Sequence, residues 1–339
     1  MRGVAAFAVV LGHARSMIGL PVNGMLAVDF FFVLSGFVIA YAYEDRLARG
    51  LGLGEFALRR TIRLYPSMVF SVLMASVLFA GNFVMSRQIQ MLPVLAGETA
   101  LNLALIPQFA SALRENDVFP LNNPMWSLFF EILANIAFAV ILYRLSDRII
   151  MFLIALSAVV YLAMIYTHNL AGAGFKPDAF YWGFPRIALP FLAGIMIHRL
   201  MKGGKLQRLP VPAWSIVSLL VVCLIVPNDY YFLPLVTVFV AWPLLVYLGA
   251  SYDEDKLRFS GFWSLSGRLS YPLYLIHFPI WGVFLKLKGK VPLPPIALGI
   301  TFVGISLVMA YAVLRLFDEP VREWLNGWLK RRRSSPSTT

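Results

Sequence analysis

The chain has 339 residues, of which 60% are hydrophobic and 14% charged, with a mean hydropathy of +0.75; soluble domains are about 45–50% apolar and about 25% charged, so the surplus apolar surface needs lipid. Apolar stretches of about 18 residues or more recur from Met1 nearly to Asp318, which excludes a soluble enzyme behind one cleaved signal peptide. A net charge of +12 would suit nucleic acid, but basic residues of membrane proteins collect on cytoplasmic loops, so no nucleic-acid partner is expected; the lone Cys223 excludes an intrachain disulfide and a cysteine metal site, and no metal is assigned.

A hydrocarbon core about 30 Å thick needs about 20 helical residues. That window predicts spans near 2–20, 24–43, 67–86, 125–143, 149–167, 180–198, 213–227, 231–249, 269–285 and 293–317. The expected fold is therefore all-α, a polytopic transmembrane helical bundle of about ten spans. The apolar stretch 91–110 is broken by Pro93, Gly97, Glu98, Asn102 and Pro107 and reads as a re-entrant or interfacial segment. With ten spans, 21 of the 29 lysines and arginines share the side of the termini, seven lie opposite, and Arg186 falls within a span. This bias predicts both termini in the cytoplasm, although Lys286, Lys288 and Lys290 run against it. Residues 1–320 read as one transmembrane domain and 321–339 as a basic, disordered cytoplasmic tail. No internal repeat of the transporter kind is visible.

Ionisable residues inside spans need a partner or a task, because a charge at mid-bilayer costs several kcal/mol. His13 follows Arg2 by eleven residues, about 16 Å along the helix and within about 20° of the same face. Glu131 falls within a turn of His13 in depth, with Asp29, Arg186 and His277 inside their own spans, so one polar cavity would serve them all. A carboxylate at the second nitrogen of an imidazole fixes its tautomer and equips it to accept a hydroxyl proton, which makes His13 with Glu131 a candidate couple. Two structural readings stand beside it: His13 bonding a backbone carbonyl, and Glu131 pairing with Arg186. Arg59 and Arg63 share a helix face, with Arg60 between, and would hold either an anionic cosubstrate such as a CoA thioester or lipid headgroups.

Six motifs in order resemble the acyltransferase-3 family, membrane proteins that move acyl groups from acyl-CoA onto sugar hydroxyls. They are Arg2-Gly3 with His13; the run 28–37 containing Asp29 and Ser35; and the basic run 59–66 ending Arg63-Leu64-Tyr65-Pro66. Trp126-Ser127-Leu128-Phe129-Phe130-Glu131, the run 270–279 with Tyr274 and His277, and Phe317-Asp318-Glu319-Pro320 complete the set. Ala27 stands where the family often has Gly, and Ile132 where many members carry a second acid.

The resemblance implies His13 as the catalytic histidine, Glu131 assisting, and Arg2, Arg59, Arg60 and Arg63 handling the donor. Asp29, Ser35, Trp126, Ser127, Arg186, Tyr274 and His277 are expected in supporting or substrate-facing positions. No permanently bound cofactor is implied; the cosubstrate is acetyl-CoA or another acyl-CoA. The other expected partners are a lipid bilayer, that of the bacterial inner membrane, and a cell-surface or lipid-linked saccharide acceptor. The competing reading is a proton-coupled transporter or flippase using the same buried charges.

Overall fold

The computed structural model describes residues 1–168, 172–209, 211–225, 232–252 and 259–334. Among these the chain is helical, with no strand. The helices are α1 (Arg2–Ile18), α2 (Gly24–Ala48), α3 (Leu53–Met85), α4 (Leu92–Leu103), α5 (Met125–Val140), α6 (Asp147–His168) and α7 (Gly183–Lys202). They continue as α8 (Ala213–Ile225), α9 (Phe232–Val236), α10 (Trp242–Ala250), α11 (Ser260–Leu287), α12 (Pro295–Val313) and α13 (Glu319–Ser334). Six helical stretches are long and apolar enough to cross a bilayer, within α2, α3, α6, α7, the α9–α10 stretch and α12 onward. α5 and α8 are apolar but shorter. Leu73, Val77, Phe152, Val159, Ile300 and Val308 stand exposed on α3, α6 and α12, the pattern of a surface solvated by lipid. The chain is a multi-pass membrane protein.

The site lies between two sets of three helices. α1, α3 and α11 run one way: Trp281 Nε1 donates to the His13 carbonyl at 2.9 Å, Lys288 Nζ to that of Ser16 at 2.8 Å, and Tyr271 Oη to that of Leu64 at 2.8 Å, a nearly constant offset for each pair. α2, α5 and α7 run the other way, α2 and α7 crossing where Gly36 meets the Phe191 carbonyl and Gly194 that of Val33. Any Cβ at either glycine would overlap backbone, so only glycine admits this approach.

Sequence signals misplace several boundaries. α3 begins far ahead of the expected span at 67, so the basic run, expected to be helical, is the first half of the spanning helix itself. Segment 91–110 contains the 12-residue α4, about 18 Å long and too short to span, and then loop backbone laid across one end of the bundle. The stretch expected to be a disordered tail is helical to Ser334, while 335–339 lie outside the described residues. The acid-proline segment 317–320, which resembles a closing turn in sequence, is helical. α12 passes through a π-helical turn, Leu314–Asp318, straight into α13, and Pro320, which lacks an N–H for a carbonyl of the preceding turn, falls just after that π-turn.

Pro279 likewise lacks the N–H that would bond the Leu275 carbonyl four residues earlier. Asn122, fully buried in the loop before α5, replaces that donor at 3.0 Å and also donates to Ser71 Oγ at 3.0 Å. Asn122→Leu is expected to cost about 1–3 kcal/mol, the penalty for a buried group left unbonded. A lowered thermal midpoint of the solubilised protein would register it, and an unchanged midpoint would refute the role.

Candidate active site

His13 and His277 meet where α1 and α11 run side by side. Each Nδ1 lies 3.0 Å from a carbonyl one turn earlier in its own helix, Val9 for His13 and Leu273 for His277. A carbonyl only accepts, so both Nδ1 atoms carry the hydrogen in the neutral rings. His277 Nε2, 3.3 Å from His13 Nδ1, is then an acceptor for the same N–H. By elimination His13 Nε2 holds a free lone pair. His277 is fully buried behind the partly exposed His13, and the ring of Trp281 packs edge-on to His13 at 5.2 Å. His13 lines a cavity of about 270 Å³ together with Arg15, Asn23, Asn123 and Trp126.

A second cavity of about 340 Å³ opens toward the other end of the same helices. Arg2, Arg60, Arg63, Arg268 and Arg322 line it, with Glu131 the one carboxylate in its wall among the described residues. Glu131 accepts from Ser35 Oγ at 2.8 Å and from Arg60 Nη2 at 3.1 Å. Arg268 is engaged by Glu319 and Arg322 by Asp318, each at 2.8 Å, and Asp318 also accepts from Ser67 Oγ at 2.6 Å, which ties the π-turn to α3. Among the described residues Arg2 and Arg63 are in no ion pair, and the Nε atoms of Arg2 and Arg60 are buried without a hydrogen-bond partner. The cavity therefore carries surplus positive charge and unmet donors.

The two cavities share Val28 and Tyr274 as wall residues. Tyr274 Oη is 2.7 Å from Ser127 Oγ and donates weakly to the Pro124 carbonyl at 3.2 Å. This hydroxyl pair marks the partition.

Several sequence expectations are redirected. The expected couple of His13 with Glu131 does not form: His13 is partnered by His277, and Glu131 belongs to the arginine cavity beside Arg60 and Ser35. Nor does Glu131 pair with Arg186. Arg186 forms a two-pronged pair with Asp29, Nε to Oδ1 at 2.9 Å and Nη2 to Oδ2 at 3.2 Å, with neither side chain exposed. Its guanidinium also donates to the Ala173 carbonyl at 2.9 Å and stacks 4.9 Å over the Trp126 ring. This pair is sealed between helices and lines neither cavity, so no single polar chamber joins all the buried charges. Arg59 is turned back onto Glu55 at 2.8 Å, one helical turn away, and leaves Arg60 and Arg63 to face the cavity.

Arg268, Arg322 and Trp281 were not anticipated. The first two read as ordinary loop charges because the residues they join in space are some 200 to 320 positions away in sequence. Trp281 had a local signal in its four-residue spacing from His277, which puts both rings on one helix face.

A family model described as an acyltransferase domain, Acyl_transf_3, matches residues 1–315. The chain belongs to the acyltransferase-3 family. It is an acyltransferase. A relative, "Protein 2 in picA locus" of Rhizobium radiobacter, is 37% identical over 169 residues, covering 47% of this chain and 88% of that protein. No solved structure matches the chain. In this acyltransferase the match ends before Asp318 and Arg322, so part of the arginine cavity is built by residues beyond the matched stretch.

Proposed function

We propose that the protein is an O-acyltransferase of the bacterial cytoplasmic membrane, moving an acetyl group from acetyl-CoA to a hydroxyl of a saccharide acceptor. The observation that carries this reading is the pair of cavities back to back, one rich in arginine and one holding a histidine with a free lone pair. Fork-shaped guanidinium groups suit the phosphates of CoA, and Arg2, Arg60 and Arg63 are the donors best placed for them. The thioester then reaches toward the partition at Tyr274.

On the other side, His13 Nε2 accepts the proton of the acceptor hydroxyl. As that proton leaves, the oxygen attacks the thioester carbonyl and forms the new C–O bond. The tetrahedral oxyanion is met by the hydroxyls of Tyr274 and Ser127. The C–S bond breaks on collapse, and the CoA thiolate takes up the proton held on His13, which restores the resting ring. The imidazolium formed in between is supported by the Val9 carbonyl and the lone pair of His277 Nε2, with no carboxylate in contact.

The direct test is transfer of radiolabel from acetyl-CoA to cell-surface polysaccharide extract by the purified protein, with ester recovery by mild alkali. Uptake of an unmodified solute without ester formation would refute the proposal. Arg60→Gln and Arg63→Gln are each expected to raise the KM for acetyl-CoA roughly tenfold or more, the weight of a charged hydrogen bond. Arg59→Gln, directed at Glu55, should leave it within about twofold. Equal effects at all three positions would show a general charge effect and not a built donor site.

A further inference from the structure

A third cavity, of about 460 Å³, lies on the opposite flank of α11 from His13. Asn82 and Phe83 from the end of α3, Arg114 from the loop before α5, and Gly282 and Lys286 from α11 line it. Two cations face this space. Lys286 is held by Asn82 Oδ1 at 2.8 Å, and the Arg114 guanidinium lies over the rings of Phe79 and Phe278, at 5.8 and 5.0 Å. Arg114 Nη2 comes within 3.4 Å of where a Cβ on residue 282 would stand, so the absence of a side chain there leaves room for its entry. The one carboxylate in contact is Asp117, 3.5 Å from Arg114 Nη1 and bonded by Asn123 at 2.6 Å. Burial pushes the Asp117 carboxyl above its usual range.

Phe278 separates this cavity from the catalytic histidine. Its ring centroid is 5.0 Å from the Arg114 guanidinium carbon and 5.5 Å from the His13 ring centroid. Arg114 and His13 are thus no further apart than those two distances laid end to end, about the reach of one sugar ring and its substituent. Arg114, Asp117 and Asn123 also form a continuous link, and Asn123 lines the His13 cavity.

We infer that the third cavity is an anion subsite for the acceptor, taking a carboxylate or phosphate carried by the saccharide whose hydroxyl is presented to His13. The inference rests on the reading of the protein as a saccharide acyltransferase. Phe79 and Phe83 supply apolar faces for the sugar ring, and Arg114 and Lys286 the charge.

The test compares two probes that differ by one group, nitrophenyl glucuronide and nitrophenyl glucoside, binding to the purified protein in nanodiscs of phosphatidylcholine. Calorimetry is expected to show the glucuronide bound roughly tenfold more tightly, as one charge-assisted contact provides. That preference should vanish in Arg114→Gln and in Lys286→Gln, while both variants retain wild-type affinity for acetyl-CoA. Lys286, whose side chain bonds Asn82 at the rim of the cavity, serves as the variant that folds if Arg114→Gln does not. Equal affinity for the two probes, or a preference unchanged in Lys286→Gln, would overturn the inference. So would loss of the preference when phosphatidylglycerol is included in the nanodiscs, because the cavity would then hold a lipid headgroup. Failure of wild-type protein to transfer acetyl to any polysaccharide would count instead against the function proposed above.

Discussion

His13→Ala is expected to lower acyl transfer by roughly 10²–10⁴-fold, the usual contribution of a positioned general base. Acetyl-CoA affinity should stay near the wild-type value, since His13 lines the cavity away from the arginines. His277→Gln should give a smaller loss confined to kcat, because His277 acts on the substrate only through the His13 Nδ1 hydrogen. His277→Ala, which removes both the acceptor and the ring packed against His13, should fall between the two. Measuring KM and kcat separately for these variants, with expression matched, checks the order. A His13→Ala protein that retains full kcat would remove the histidine from the chemistry, and a His277 variant altered chiefly in KM would reassign His277 to binding.

The second large effect concerns stability. Asp29 and Arg186 are both inaccessible, and removing one partner leaves the other charge buried and unpaired, which costs about 3–5 kcal/mol. Asp29→Ala and Arg186→Met are each expected to reduce the yield of monodisperse protein and to lower its thermal midpoint strongly. Replacing both by apolar residues, Asp29→Leu with Arg186→Met, should recover much of the loss, since two uncharged side chains leave no stranded ion. A double variant as unstable as the singles would show that Arg186 matters mainly for its contacts to Ala173 and Trp126.

The helical membrane class was legible from apolar runs alone, because the bilayer imposes a length on every span. Family membership was legible because Arg2, His13, Glu131 and Tyr274 sit in short motifs. Partner choice was not. Depth along helix axes put His13 and Glu131 at similar levels, but it rested on assumed span ends: Glu131 lies with Ser35 and Arg60 toward the Arg2 end of the bundle, and the α1–α11 register hands His13 to His277. Arg59 shows the same limit at short range: a helical wheel groups it with Arg63, whereas Glu55 one turn earlier captures it. The α3 start was hidden because Arg59, Arg60 and Arg63 depress hydropathy, yet they extend the helix where their heads reach polar space. Arg322 was lost with the assumption that basic composition at the C-terminal end means disorder.

A membrane enzyme with reactants arriving from two directions faces a leak: any open bore through the bundle would let ions run down their gradient. The two cavities meet at Val28 and Tyr274, side chains that line both. On the function proposed above, only the acyl fragment would have to pass from one compartment to the next, and the bulky carrier would stay in the chamber it entered.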